Sequence, residues 1–170
     1  FRRVLLRSQM HEAPIEYLVR MRRFDESGRL DHLCARGELR PEHLSDLALH
    51  LAQFHAGAPV APPDSRFGRP AEVRAPALEN FQELLPMASD PAVRERLDGL
   101  LAWTHAEFDR IESHLQRRKA GGHIRECHGD LHLANLVCID GQVRMFDCLE
   151  FNEDLRWIDV ASDIAFTYTD

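Results

Sequence analysis

Four polar residues in the last third of the chain have the types and spacing that phosphoryl transfer requires. Asp130 and Asn135 lie five positions apart, His128 precedes Asp130 by two positions, and Asp147 follows. A carboxylate such as Asp130 can orient a hydroxyl group and accept its proton, and Asn and Asp oxygens are hard ligands that suit Mg²⁺ beside phosphate. The set therefore predicts a magnesium-dependent phosphoryl-transfer site.

The segment after Asn135 predicts a hairpin that brings the two oxygen ligands together. Apolar residues 136–139 and a second β-type run flank Asp140-Gly141, and an Asp-Gly pair in this setting is the strongest short-range hairpin signal. A turn centred on this pair places Asn135 opposite Phe146, next to Asp147. A hairpin that ends in an Asp is common by itself, so the prediction depends on its combination with the polar residues before it.

The segment from Cys127 to Ala165 resembles the aminoglycoside phosphotransferase family, a group of kinase-like enzymes that phosphorylate small molecules. It is similar in particular to a bacterial branch with three motifs, which stand here as HGDLHLAN at 128–135, DCLEFN at 147–152 and RWIDVASDIAF at 156–166. Weaker similarity extends back through residues 16–24. The resemblance implies a protein-kinase-like fold, ATP and Mg²⁺ as cofactors, and a hydroxyl group of a small molecule as the acceptor.

Carried over position by position, the resemblance implies a role for each residue of the site. Asp130 would be the catalytic base, and Asn135 and Asp147 would bind Mg²⁺. His128 would support the catalytic loop. Asp159 would support the same loop from a neighbouring helix and would not bind the metal itself.

Further residues are expected at the edge of the site. In the kinase-like frame the backbone of Met21, Arg22 and Arg23 forms the hinge that contacts adenine. His132 could point towards phosphate or towards solvent. Glu150 could reach the surroundings of a second Mg²⁺ or a cationic substrate, or it could be a surface carboxylate.

The expected fold class is α+β, with a mostly helical large lobe, a catalytic-loop β-hairpin and a remnant of the small-lobe sheet. Residues 1–24 would be that remnant, with strands at 2–8 and 15–24, and residues 25–170 would be a large lobe truncated at both ends. The only lysine, Lys119, falls at the end of a predicted helix, and no glycine-rich phosphate loop is present. The chain is therefore interpreted as a fragment whose phosphate-binding lysine lies elsewhere, with a degenerate pseudokinase as the alternative.

The first long helix is predicted from Pro41 to about Ala56, because its apolar residues recur at helical spacing. The residues expected on its inward face are Leu44, Leu47, Ala48, Leu51, Ala52 and His55. A histidine on such a face is expected to be buried and hydrogen-bonded rather than a ligand.

Prolines and glycines mark the boundaries of the next elements. Residues 56–76 hold five of the nine prolines and predict an irregular loop, followed by a short helix over 77–87 with Phe81, Leu84 and Leu85 inward. Asp90-Pro91 predicts an N-cap and first helical residue, and Gly121-Gly122 predicts the end of a long helix at about Lys119. This helix would deliver the chain to the catalytic loop.

Composition narrows the function classes. A net charge of −7 without a Lys/Arg stripe argues against nucleic-acid binding. No apolar run approaches the roughly 20 residues that span a bilayer, so no membrane association is expected. Four cysteines without CxxC spacing indicate free thiols and a cytoplasmic protein.

Several alternatives stay open at this stage. A zinc site could be built from His123, Cys127, His128, Asp130 and His132, although their spacing matches no closed four-ligand set. The chain could also be a regulatory nucleotide-binding module without turnover, or a metal-dependent hydrolase. The family branch often carries an additional P-loop ATPase domain. Neither the acceptor nor the oligomeric state follows from these residues.

Overall fold

The computed structural model describes residues 2–6, 16–20 and 23–170, with the backbone alone described for the first two ranges. Strands β1 (Arg2–Leu6) and β2 (Glu16–Arg20) pair in antiparallel fashion, with Arg2 opposite Arg20. Both strands fall inside the predicted ones. The assignment of residues 1–24 to a separate lobe stays a prediction.

The remaining elements form a mostly helical body with two small sheets. The α-helices are α1 (Leu30–Ala35), α2 (Pro41–Gly57), α3 (Pro70–Met87), α4 (Pro91–Ala120), α5 (Glu153–Arg156) and α6 (Val160–Thr169). The strands are β3 (Ile124–Glu126), β4 (Leu136–Ile139), β5 (Gln142–Met145) and β6 (Trp157–Asp159), and 3-10 turns cover Glu26–Gly28 and Leu133–Asn135. β3 pairs with β6 and β4 pairs with β5, both antiparallel. The expected α+β class is confirmed.

The ends of α2 and α4 lie within about one residue of their predicted positions. Each helix has a proline at its first position, where a missing N–H costs no hydrogen bond. The Asp90 side chain accepts a hydrogen bond from Ala92 N at 2.8 Å and so caps α4. After α4, Gly122 takes a left-handed conformation (φ +71°), which glycine adopts without steric cost and which lets the chain turn into β3.

The prediction for α3 was wrong at its start. α3 begins at Pro70, so the irregular connection is confined to residues 58–69, and Pro76 lies inside the helix. α3 packs along α4 and buries Phe81, while Leu84, expected inward, is about half exposed. Packing against α4 offsets the hydrogen bond that Pro76 cannot donate, which is why proline alone was a misleading loop signal.

The hydrophobic core lies where α1 and α2 meet the catalytic loop and the hairpin. Its buried members are Leu30, Leu47, Leu51, Leu131, Leu133, Leu136 and Val143. On α2 the buried residues recur every four positions and form a single stripe: His43, Leu47, Leu51 and His55. This buried stripe is narrower than the predicted inward face. Leu44, Ala48 and Ala52 are exposed, and α2 packs against β5.

Lys119 lies at the end of α4, as predicted, and has a structural contact there. Its Nζ donates hydrogen bonds to Phe67 O at 2.6 Å and to Ser65 Oγ at 3.4 Å. The only lysine of the chain therefore holds the connection between α2 and α3. Within the described ranges, no helix combines the length and the apolarity needed to cross a membrane.

Candidate active site

The loop from His128 to Asn135 brings the predicted base and one predicted metal ligand into contact. Asn135 Nδ2 donates hydrogen bonds to Asp130 O at 2.9 Å and to Asp130 Oδ2 at 3.1 Å. A 3-10 turn, closed by Asn135 N donating to His132 O at 2.9 Å, shapes the second half of the loop. The side chain of Asn135 is thus fixed against the carboxylate five positions before it.

The hairpin places Asp147 beside Asn135, as its predicted register requires. Leu136 faces Met145 across β4 and β5, and Phe146 N donates to Asn135 O at 3.1 Å. Asp147 itself has a left-handed backbone (φ +59°) and is exposed. A left-handed residue at a strand end turns the chain sharply away from the strand, so the pairing of the two strands ends immediately before the acidic residue.

His128 links the loop to the segment that carries Asp147. The ring is buried, and its Nε2 lies 2.8 Å from Phe146 O, so Nε2 carries the hydrogen and donates to that carbonyl. Nδ1 is then free to accept from Asp130 N, at 3.4 Å. Leu149 N also donates to His128 O at 3.0 Å. This position fits the expected support of the loop.

The loop is held from α6 by Asp163, and the prediction that assigned this contact to Asp159 was wrong. Asp163 is fully buried, and its two carboxylate oxygens accept from His128 N at 3.2 Å and Gly129 N at 2.9 Å. Asp159 instead caps α6 through Ala161 N at 2.8 Å. It also forms a two-pronged ion pair with Arg118, at 2.6 and 2.7 Å.

His55 completes the surroundings of Asp163 and is buried and hydrogen-bonded, as predicted. Its Nε2 lies 2.8 Å from Asp163 Oδ2. Burial acts to raise the pKa of the Asp163 carboxyl, but the hydrogen bonds from His55, Gly129 and His128 outweigh it and hold that pKa below its usual range. Asp163 is therefore a buried carboxylate stabilised by three donors.

A buried trio of His55, Cys127 and Asp163 has ligand atoms within 4.8 Å of one another, the one such group among residues 23–170. It shares only Cys127 with the zinc set considered from sequence. Asp163 already accepts three hydrogen bonds, and Cys127 Sγ lies 3.6 Å from Ile158 O. Burial, with the nearby charges of Asp163 and Asp159, raises the pKa of the Cys127 thiol to about 12. A neutral thiol beside a hydrogen-bonded carboxylate is a poor metal donor set.

The residues predicted at the edge of the site have different surroundings. His132 Nε2 lies 3.4 Å from Asp130 Oδ2, and both side chains are about a third exposed. His132 therefore faces the predicted base. Glu150 is exposed. Arg23 is exposed and pairs with Glu26 at 3.4 Å, whereas Met21 and Arg22 lie outside the described residues.

The chain just after the expected hinge contacts the hairpin end. The rings of Phe24 and Phe146 pack with their centroids 4.9 Å apart. Because Phe146 precedes Asp147, this contact brings residue 24 close to the candidate metal ligands. Sequence patterns did not identify this aromatic pair, since it joins residues more than a hundred positions apart.

Two oxygen donors of the site could hold a metal ion. Asn135 uses its Nδ2 towards Asp130, and its Oδ1 has no hydrogen-bond partner in the described part of the chain. Asp147 is exposed and directly follows Phe146, whose backbone pairs with Asn135. One amide oxygen and one carboxylate form the kind of incomplete oxygen set that Mg²⁺ prefers.

The comparisons with known proteins identify the family of the chain. A model of the phosphotransferase enzyme family matches residues 15–170. Uncharacterized proteins of Mycobacterium bovis and Mycobacterium tuberculosis are each 28% identical to the chain over 155 residues. These matches cover 91% of the chain and 31% of each relative, so the chain spans about a third of the length of the curated relatives it matches. No solved structure matches the chain significantly.

Proposed function

The chain belongs to the phosphotransferase enzyme family, and we propose that it is the catalytic large lobe of an enzyme that transfers the γ-phosphoryl group of Mg-ATP to a hydroxyl group of a small molecule. The contact of Asn135 Nδ2 with Asp130, at 2.9 and 3.1 Å, is the observation that carries this proposal. It joins the candidate base to a candidate metal ligand, and the hairpin adds Asp147 beside them.

In this proposal Asn135 Oδ1 and the Asp147 carboxylate hold Mg²⁺. When bound, the ion supplies positive charge that neutralises the phosphate oxygens. The donors fit because both are hard oxygens, and within the described ranges the Asp147 carboxylate forms no ion pair with Lys, Arg or His. His128 keeps the two halves of the site together, since it donates to the carbonyl directly before Asp147.

Asp130 would orient the acceptor hydroxyl and accept its proton. The hydroxyl oxygen forms a bond to the γ-phosphorus while the bond from that phosphorus to the bridging oxygen breaks, and ADP leaves. Asn135 Nδ2 and His132 Nε2 both lie near Asp130 Oδ2, at 3.1 and 3.4 Å. Catalysis of this kind is mainly positioning and charge stabilisation, so the rigid loop matters more than any single donor.

The short connection after Asp147 supports a small acceptor. α5 begins at Glu153, so only residues 148–152 separate it from Asp147. Protein kinases use a long segment at this place to bind peptide substrates, and five residues leave no room for one. Lys119, the only lysine, donates to Phe67 O, so we do not assign it to the nucleotide phosphates.

The test is ATP turnover by the full-length protein with a panel of hydroxylated amines and sugars, with and without Mg²⁺. We expect Asp130→Asn to lower kcat by about 100- to 10,000-fold, because general-base catalysis contributes on that order. Asp140→Asn is the matched control. Asp140 lies at the exposed turn of the same hairpin with a left-handed backbone (φ +51°) that Asn adopts readily, so its kcat should equal the wild-type value.

Other outcomes would contradict the proposal in different ways. ATP binding without turnover on any acceptor would favour a regulatory nucleotide-binding module. Activity that needs no ATP and disappears with a zinc chelator would favour a hydrolase. If Asp130→Asn and Asp140→Asn lose activity equally, the loss would come from a disturbed hairpin and loop and not from removal of the catalytic base.

A further inference from the structure

Three polar side chains at the end of the chain contact the backbone of the catalytic loop. Asp163, Thr167 and Asp170 are spaced by four and three positions along α6 and its C-cap, so they share one face of the helix. Asp163 accepts from the two amides that precede Asp130. The other two side chains contact the loop after Asp130.

The contacts after Asp130 are short and involve buried residues. Thr167 Oγ1 donates to Leu131 O at 2.5 Å, and Asp170 Oδ2 accepts from Leu133 N at 2.8 Å. Leu131 and Leu133 are themselves buried, and their side chains belong to the core. The backbone groups that bond to α6 therefore have little access to water as a replacement partner, which makes each contact costly to lose.

We propose, on the basis of the function proposed above, that Thr167 and Asp170 are positioning residues for phosphoryl transfer. They fix the backbone immediately after Asp130, as Asp163 fixes it immediately before. With the loop held on both sides, the Asp130 carboxylate keeps its contact with Asn135 and its distance to the acceptor hydroxyl. Neither residue contacts Asp130 or the candidate metal ligands directly, so each acts through the loop backbone.

A positioning role predicts a change in kcat without a matching change in KM for ATP. A loop that moves by a fraction of an ångström misplaces the base in the transition state, whereas nucleotide contacts at the metal ligands persist. We expect Thr167→Val, which removes the hydroxyl at nearly constant volume, to lower kcat by about 3- to 10-fold. The KM for ATP should change by less than about twofold.

Conservative variants and a neighbouring threonine provide the controls. Thr167→Ser keeps the hydroxyl and should restore most of the wild-type kcat. Thr169→Val removes a hydroxyl from the same helix, but Thr169 Oγ1 donates to Ala165 O at 2.9 Å and to Phe166 O at 3.1 Å within α6. Its kcat should therefore equal the wild-type value. Asp170→Asn keeps an acceptor oxygen for Leu133 N, and Asp170→Leu removes it.

Amide hydrogen exchange in the full-length protein supplies a readout that does not depend on turnover. The Leu133 amide should exchange faster in Asp170→Leu than in Asp170→Asn or the wild type. Equal exchange in all three, or a wild-type kcat for Thr167→Val, would overturn the proposal. A parallel rise in KM with the fall in kcat would also overturn it. If the wild-type protein shows no turnover, the proposed function fails, and exchange at Leu133 alone still decides whether α6 holds the loop.

Discussion

Replacing Asp163 by Asn should destabilise the protein and slow phosphoryl transfer, because one buried carboxylate holds three donors. Those donors are His55 Nε2 at 2.8 Å, Gly129 N at 2.9 Å and His128 N at 3.2 Å. Asn has a single acceptor oxygen, and its NH₂ group must face at least one of these N–H groups. The variant also loses the charge that strengthens each hydrogen bond.

The expected loss follows from the number of contacts. A hydrogen bond to a charged group contributes about 1.5 to 3 kcal/mol, and a buried donor without a partner costs about 1 to 3 kcal/mol. Oδ2 accepts from His55 and His128 and Oδ1 accepts from Gly129, so an Asn whose oxygen takes the Oδ2 position keeps two contacts and loses one. The free energy of unfolding should therefore fall by about 2 to 4 kcal/mol. Small domains have roughly 5 to 15 kcal/mol available, so the variant should fold and its kcat should be measurable.

Urea unfolding and ATP turnover of the full-length protein measure both effects, and Asp159→Asn is the matched control. Asp159 lies on the same segment but binds Arg118 and caps α6. Asp159→Asn should lower the free energy of unfolding by about 1 kcal/mol and leave kcat unchanged. If Asp163→Asn costs less than about 1 kcal/mol and keeps the wild-type kcat, the reasoning is wrong. The same conclusion follows if Asp159→Asn is the variant that slows turnover.

Three further predictions concern pH, thiol chemistry and backbone geometry. The lowered pKa of Asp163 means that its stabilisation is present above the unfolded pKa of about 3.9 and is lost as pH falls through the native pKa. The stability difference between the wild type and Asp163→Asn, followed by urea unfolding, should therefore shrink as the pH falls below about 4; a difference that grows below that pH would contradict this. Burial raises the pKa of Cys127 to about 12, so this thiol should resist alkylation at pH 8 while the exposed Cys148 reacts. Mass spectrometry of labelled peptides measures both reactions, and equal labelling would refute the burial of Cys127. Gly129→Ala should lower the melting temperature and kcat, since its φ of +83° is strained for alanine and a Cβ would lie 2.6 Å from Leu155 O; a wild-type melting curve would show that the loop can shift freely.

The parts of the site that sequence predicted well are those determined by local interactions. The register of the hairpin follows from Asp140-Gly141, because a two-residue turn leaves only one pairing of its flanking residues. The end of α4 follows from Gly121-Gly122. In each case the deciding residues lie within a few positions of the feature.

The start of α3 shows where local reasoning fails. Pro76 read alone favours a loop, because proline cannot donate to the helix ladder. In the part of α3 that was missed, Arg74 pairs with Asp109 of α4 at 2.8 Å, a contact between elements that sequence patterns do not place together. The same limit explains the narrower buried stripe on α2, where the shape of the hairpin decides which residues are covered.

The assignment of the loop contact to Asp159 instead of Asp163 failed for a different reason, because the sequence contained a local signal for the correct residue. Asp159 and Asp163 stand four positions apart at the start of α6, where two like charges repel each other, and this repulsion favours a partner for one of them. Asp159 stands immediately before the first helical residue, and Asp is among the preferred N-cap residues. An N-cap side chain bonds to its own helix, so Asp159 is committed there. The carboxylate four positions later, inside the first turns of the helix, is then the one free to reach the loop, and the structure places it against His128 and Gly129.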